Sequence, residues 1–347
     1  MAYTTINDPS AQFQAVLWTG DSADDRSITN TGNANLQPDV VWIKNRNSTQ
    51  NHYLYDSTRG ANVQLLPADS AGETTVADRM QAFQTDGFQV GSSSEVNYNS
   101  YTYVGWQWKA TAGTTASNGN GSITSTVQAN TTAGFSIVKW TGTGSAATIG
   151  HGLGVTPQMI IVKNLDKSSQ WAVYHYKVGN TKYLALNDAD AEATYSGYWN
   201  DTSPTTTVFS VGSDGDVSGG NGEEVISYCF APIKGYSKIG NYKGNGNADG
   251  PFVYTGFKPA FIIKKGTGSG DWHISDNKQN SFNAFDNALR PNVTNGTETG
   301  NTLDFLSNGF KIRNTGGSWN GNGSTYIYMA FAQNPFVATN NVVATAR

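Results

Sequence analysis

Phe13-Gln-Ala-Val-Leu-Trp18-Thr-Gly20, Phe135-Ser-Ile-Val-Lys-Trp140-Thr-Gly142 and, more loosely, Ser237-Lys-Ile-Gly-Asn-Tyr242-Lys-Gly244 share one design. Each is an alternating strand that ends in an aromatic residue and a glycine turn. About twenty residues further on, each is followed by a proline, an apolar run and a lysine: Pro38-Asp-Val-Val-Trp-Ile-Lys44, Pro157-Gln-Met-Ile-Ile-Val-Lys163 and Pro259-Ala-Phe-Ile-Ile-Lys264-Lys265. Proline is tolerated at the first residue of a strand, and the unbroken apolar run predicts a strand buried on both faces. An aromatic strand comes next (His52–Asp56, Trp171–His175, Trp272–Asp276). A turn-plus-strand follows late in each copy (Asp86–Val90, Val208–Val211, Asn308–Ile312). The closing strands are Tyr101–Trp108, Glu224–Phe230 and Thr325–Phe331. In this register the copies run 13–110, 135–232 and 237–333, lengths of 98, 98 and 97 residues. Equal length and equal landmark order together mean triplication, which is to be sought before any motif.

Each copy holds roughly seven or eight short strands separated by turns, the pattern of an antiparallel sandwich. A closed barrel is the competing solution, disfavoured by uneven strand lengths and a long excursion before the late turn. The prediction is therefore all-β, with three tandem antiparallel sandwiches of the jelly-roll or concanavalin-like kind. The units are 13–110, 135–234 and 235–336. Residues 1–12 form a candidate docking segment, or else a frayed terminus. Residues 111–134 form a Gly/Ser/Thr/Asn linker of the flexible type, in which Ser122–Ala129 could be an edge or bridging strand, and 337–347 form a tail. The short connection Pro232–Tyr236 puts copies two and three in contact.

The 347 residues carry 22 Lys+Arg against 26 Asp+Glu, a formal charge of −4. That balance argues against a nucleic-acid binder, which needs a basic face. No run of about 18 apolar residues suggests a membrane span, and the N-terminus has no basic region and apolar stretch of a secretory signal. Charged residues make up only 14% and aromatics 12%, a mixture that suits strands and turns better than helices.

Chemistry-bearing motifs are sparse. One cysteine, Cys229, and four scattered histidines (His52, His151, His175, His273) give no zinc or redox spacing. The position of His175 is Asp56 and Asp276 in the other copies, which a catalytic base would not tolerate. No G-x-S-x-G elbow or phosphate-binding loop is present. Asp214, Asp216 and Glu223 begin like a calcium loop, but Val225 stands where the bidentate glutamate belongs. They are weak Ca²⁺ candidates in a chain otherwise expected to need no cofactor. Asn245–Gly250 fails the same test. No pair among the many acidic residues stands out as a glycosidase pair. Trp199, with Tyr198 beside it, and Trp319 lie in polar loops, where an aromatic can stack on a sugar ring or anchor an interface. They are the candidate glycan or host contacts. Trp42, Trp106, Trp108, Trp171 and Trp272 fall on strand positions and are expected in the core.

Asn7-Asp-Pro-Ser10 leading into Phe13–Gly20, Gln37–Arg46, Thr148–Lys163, Gly235–Gly246 and Phe305–Asn314 resemble a family of marine bacteriophage virion structural proteins, often tail-fibre-like, with lectin-like sandwich domains. The resemblance spans nearly the whole chain and brings no catalytic residues. It implies a non-enzymatic tail fibre or appendage component that is assembled in the host cytoplasm, released by lysis and located in the virion. Its partners would be other virion proteins and a host-surface glycan, and a homo-oligomer, trimer or higher, would be expected. Capsid decoration or a purely architectural tail role is the alternative. A polysaccharide depolymerase ranks last. Stiff, extended shapes are expected of such repeated sandwiches.

Overall fold

The computed structural model describes residues 3–300 and 302–338, and within them the protein is all-β. Three large antiparallel sheets repeat one strand order: opening strand, closing strand, lysine strand, aromatic strand. In copy one these are Phe13–Thr19, Thr102–Trp108, Val40–Asn45 and His52–Asp56. In copy two they are Phe135–Thr141, Glu224–Phe230, Met159–Asn164 and Ala172–His175. In copy three they are Ser237–Lys243, Thr325–Pro335, Phe257–Gly266 and His273–Asp276. A smaller sheet covers one face of each. It comprises Arg26–Ile28, Gly87–Val90 and Met80–Gln84 in copy one, and Ala147–Gly150 with Val208–Val211 in copy two. In copy three it comprises Phe252–Tyr254, Gly309–Ile312 and Leu303–Leu306.

Every copy thus has a private core between its two layers, holding for example Trp18 and Phe88, Trp140 and Phe209, or Tyr242 and Phe310. The opposite faces of the three large sheets meet in a fourth core drawn from all copies, including Trp42, Trp106, Ile161, Tyr228, Phe261 and Phe331. The lysine strands are therefore buried along their length in copies one and two, and in copy three up to the terminal Gly266: alternate side chains enter the private and the shared core. The extended string of independent sandwiches expected from the repeat is replaced by three sandwiches wrapped around one hydrophobic centre.

Contacts between copies close in a ring. Trp171 Nε1 of copy two donates to Leu66 O of copy one at 3.1 Å, and Trp272 Nε1 of copy three to Ala185 O of copy two at 2.7 Å. The matching residue in copy one is His52, which faces the Arg290 backbone of copy three. Paired backbone bonds repeat at each junction: Ser169 N to Ser70 O and Glu73 N to Leu165 O; Gly270 N to Ala189 O and Glu192 N to Thr267 O; Gln50 N to Thr294 O and Thr297 N to Arg46 O. A buried carboxylate seals two junctions. Tyr228 Oη donates to Asp56 at 2.7 Å and Trp106 Nε1 to Asp276 at 3.0 Å. At the third, Met329 cannot donate, and His175 stands in the aspartate's place, 3.5 Å from Tyr328 O. The Asp/His interchange that argues against catalysis is thus a structural exchange.

Two segments depart from their sequence reading, and a third lies mostly outside the described residues. The 111–134 stretch is not a free linker, and its edge-strand reading at Ser122–Ala129 holds: Ser125–Asn130 pairs along the outer edge of copy two's opening strand, and Ala116–Asn118 pairs outside it. The described part of the N-terminal segment is laid on its own chain and is not held out for docking. Ile6 enters the shared core, Thr4 Oγ1 donates to Lys234 O at 2.8 Å and Tyr3 Oη to Gly256 O at 2.7 Å. Most of the tail, 339–347, lies outside the described residues.

Candidate functional site

The tryptophans singled out in polar loops are not surface groups. Trp199 and Trp319 are each 1% exposed and Tyr198 3%. One-turn helices, Ser196–Trp199 and Gly317–Asn320, turn each tryptophan inward to plug the open end of a private core. Trp199 meets Tyr174 edge-on, and the Trp319 carbonyl accepts from Tyr242 Oη at 2.9 Å. Local polarity around them misleads because the polar neighbours are the helix ends. They cannot be the glycan contacts.

The calcium candidates do not converge. Asp214 caps the turn Gly215–Ser218, accepting from Asp216 N at 2.8 Å, and also takes Tyr195 Oη at 2.9 Å. Asp216 accepts from Tyr198 Oη at 2.6 Å. Glu223 accepts from Lys167, Asn164 and Gly220, chiefly the first, and these hold its carboxyl down at about 2. Among the described residues no group of three or more His, Cys, Asp or Glu is arranged to hold a metal ion. Cys229 is fully buried, with its thiol pushed up to about 12 by desolvation.

The ring of copies creates three equivalent junction clefts. Each lies beside an opening strand, next to the residue that follows the buried Asp56, His175 or Asp276. Between copies one and two the chain fills the cleft itself: strand Ser125–Asn130 occupies the edge, and Gln128 Nε2 reaches Ser57 and Thr58 at 2.9 Å each. Between copies three and one the cleft, of about 260 Å³, is polar. The 31–34 loop folds over it, with Gly32 N donating to Gln14 and Gln14 Nε2 to Ala34 O. Between copies two and three it is an open groove of about 310 Å³ walled by Tyr176, Tyr242, Phe252, Tyr254 and Tyr328, with Lys238 and Asn241 on the opening strand.

Register explains why the third cleft is aromatic. Ile28, Ile149 and Val253 are equivalent, each pairing with a phenylalanine of the late strand. Their neighbours are Ser27 and Thr29 in copy one, both exposed, and Thr148 and Gly150 in copy two, which the 118–122 stretch covers, but Phe252 and Tyr254 in copy three. These two rings are 46% and 48% exposed. A second exchange lies behind them. The cross-strand pairs Val16–Gly105 and Val138–Ser227 become Gly240–Tyr328. Gly240 is required, because a Cβ there would stand 2.8 Å from the Tyr328 hydroxyl. Tyr328 is 3% exposed and lines the groove, and its hydroxyl makes no hydrogen bond among the described residues. A phenol hydroxyl that opens on a groove and has no partner among the described residues is an anchoring point for a polar ligand.

Lys238 completes the wall: its Nζ donates to Tyr254 O at 2.8 Å and sits 5.2 Å from the centre of the Tyr254 ring. Tyr3 Oη is 3.2 Å from Tyr254 Oη, tying the N-terminal segment to the rim. Tyr176 reaches across from copy two to Ile239 O at 3.4 Å. None of these residues is singled out by motif reading. Aligning Ser27-Ile-Thr29, Thr148-Ile-Gly150 and Phe252-Val-Tyr254 is the signal that finds them.

Fold and site together define a class: a single-chain ring of three β-sandwiches carrying an open aromatic groove. The chain belongs to the family described as Domain of unknown function (DUF7483), whose model matches residues 8–335. That match treats all three copies as one domain, as the shared core does. No curated protein and no solved structure matches the chain.

Proposed function

We propose that the chain is a non-enzymatic bacteriophage virion structural protein, a tail fibre or appendage component, that holds a host-surface glycan in the groove between copies two and three. The observation that carries the binding role is the exchange of Ser27/Thr29 and Thr148/Gly150 for Phe252/Tyr254, which puts two large rings outward where copies one and two carry only small residues. Exposed rings on a rigid sheet suit the apolar face of a pyranose at small entropic cost. The groove's lining holds aromatic rings, an amide and an ammonium, the equipment of recognition rather than of acid–base chemistry. The virion assignment rests on the resemblance of the quoted motifs.

Tyr254→Ala and Phe252→Ser in the purified protein test this reading. Each is expected to abolish retention on host envelope polysaccharide while shifting stability by less than about 0.5 kcal/mol, as is usual for surface positions. Unchanged retention by both variants removes the groove from the function. An architectural role, in capsid decoration or the tail, is the second reading, favoured by the edge of Ser237–Lys243, which carries no further strand among the described residues. The equivalent edge in copy two carries an added strand, so a neighbouring virion protein could add one here. Copy number per particle separates a tail component from a capsid decoration.

A further inference from the structure

Lysines that form no ion pair gather around this one groove. Lys238 lies in its wall, Lys177 Nζ sits 4.8 Å from the centre of the Tyr176 ring, and Lys234 Nζ lies 4.8 Å from that of Tyr3 at the rim. Lys177 and Lys234 are exposed and Lys238 half-buried, and none has a carboxylate within salt-bridge distance among the described residues. Elsewhere most surface cations are consumed: Lys139, Lys167, Lys182, Lys311, Arg79, Arg290 and Arg313 all pair with Asp or Glu, while Lys109, Lys243 and Lys278 make no ion pair among the described residues. A chain of net charge −4 thus leaves three ammonium groups unmatched at one place, each held over a tyrosine ring. Burial depresses the proton affinity of the Lys238 ammonium, and a bound anion would oppose that.

Resting on the glycan reading of the groove, we infer that its ligand is an acidic polysaccharide, whose sugar ring stacks on Tyr254 and Phe252 while its carboxylate or sulfate is met by Lys238, with Lys177 and Lys234 at the rim. The Tyr328 hydroxyl, exposed to the groove by Gly240, supplies a neutral hydrogen bond to a ring hydroxyl. The tyrosines hold the ammonium groups in place, so less side-chain freedom is lost on binding.

The test is titration of the full chain with oligogalacturonate, oligomannuronate and sulfated galactan, each beside its neutral counterpart (carboxyl-reduced or desulfated), at low and high salt. The expected result is tighter binding of at least one acidic form by about fivefold, the worth of a partly exposed ion pair, and loss of that preference in 0.5 M salt. Lys238→Met with Lys177→Met is expected to erase the preference for the acidic form, whereas Tyr254→Ala removes binding of acidic and neutral forms alike. Equal binding of acidic and neutral forms overturns this inference and leaves the glycan reading standing. Binding of none of the six, with an extended peptide protecting the Ser237–Lys243 amides instead, overturns both.

Discussion

The cleft between copies one and two and the cleft between copies two and three occupy equivalent places in the ring and have opposite fates. In the first, Ser125–Asn130 lies along the opening strand, and Gln128 bridges to Ser57 and Thr58. In the second no strand is added among the described residues, and the walls are aromatic. A repeated framework offers the same concavity at each junction. Whether a junction serves cohesion or recognition is decided by a few outward positions and by what the chain places over the edge. The first cleft therefore shows what closure of the second would look like.

That comparison presupposes that the copies are one body, and the harshest way to break it is Asp56→Ala. The change removes the acceptor of Tyr228 and takes from Arg59, whose side chain is 1% exposed, its nearest carboxylate at 2.5 Å, leaving only Glu73 at 3.5 Å. Loss of one partner from a buried pair costs about 3–5 kcal/mol, to be read in denaturant melts as loss of a single cooperative transition.

The next largest effect is on pH dependence. Lys44 reaches Thr294 O of copy three and Lys265 reaches Ala189 O of copy two. Burial holds Lys44 at about 7 and Lys265 at about 8, and likewise Lys163 at about 8. Their folded values lie below the unfolded 10.5, so the unfolded chain binds more protons between about 7 and 10 and stability rises with pH across that window. His175, held at about 4 by burial against an ordinary 6.5, adds a loss of stability as pH falls from 6.5 toward 4. Thermal melts are expected to climb from pH 4 to 9. Lys44→Met is expected to flatten the upper part, and an unchanged slope in that variant would dissociate the lysine from the effect.

Gly240→Val restores the residue of the other copies and sharpens the comparison directly. Its Cβ meets the Tyr328 hydroxyl, an overpacking expected to cost about 1–3 kcal/mol and to weaken glycan binding. Adding Tyr328→Ser rebuilds the Val–Ser pair of copy two and is expected to recover stability but not binding. The smallest contrast sets Gln128→Ala, expected to cost about 1 kcal/mol for its lost hydrogen bonds, against Asn241→Ala in the open groove, expected to cost nothing. Chemical denaturation of the two variants compares the filled and the open cleft.

Much of this was legible in the chain. The alternation of Phe13–Thr19 and its two counterparts, the proline-led apolar runs and the common order of landmarks define strands and triplication, because strand formation and pleat follow from local side-chain pattern. The lysine that ends each apolar run was visible, but not its use as a buried cross-junction donor at Lys44 and Lys265. Trp199 and Trp319 were misplaced because a one-turn helix amid Gly, Ser and Asn has no periodicity long enough to reveal its inward face. Phe252 and Tyr254 were missed because a three-residue strand with outward aromatics reads like any core strand until it is aligned with Ser27-Ile-Thr29.

By itself the amino-acid sequence determined an all-β chain in three copies, since hydrogen-bonded strands and their turns are set by neighbours a few residues away. The tertiary structure alone decided that the copies close around one core, that the 111–134 stretch seals one junction, and that the groove between copies two and three stays open. Those outcomes depend on which faces meet across a hundred residues or more, and burial there is decided by whatever surface arrives from the other copies.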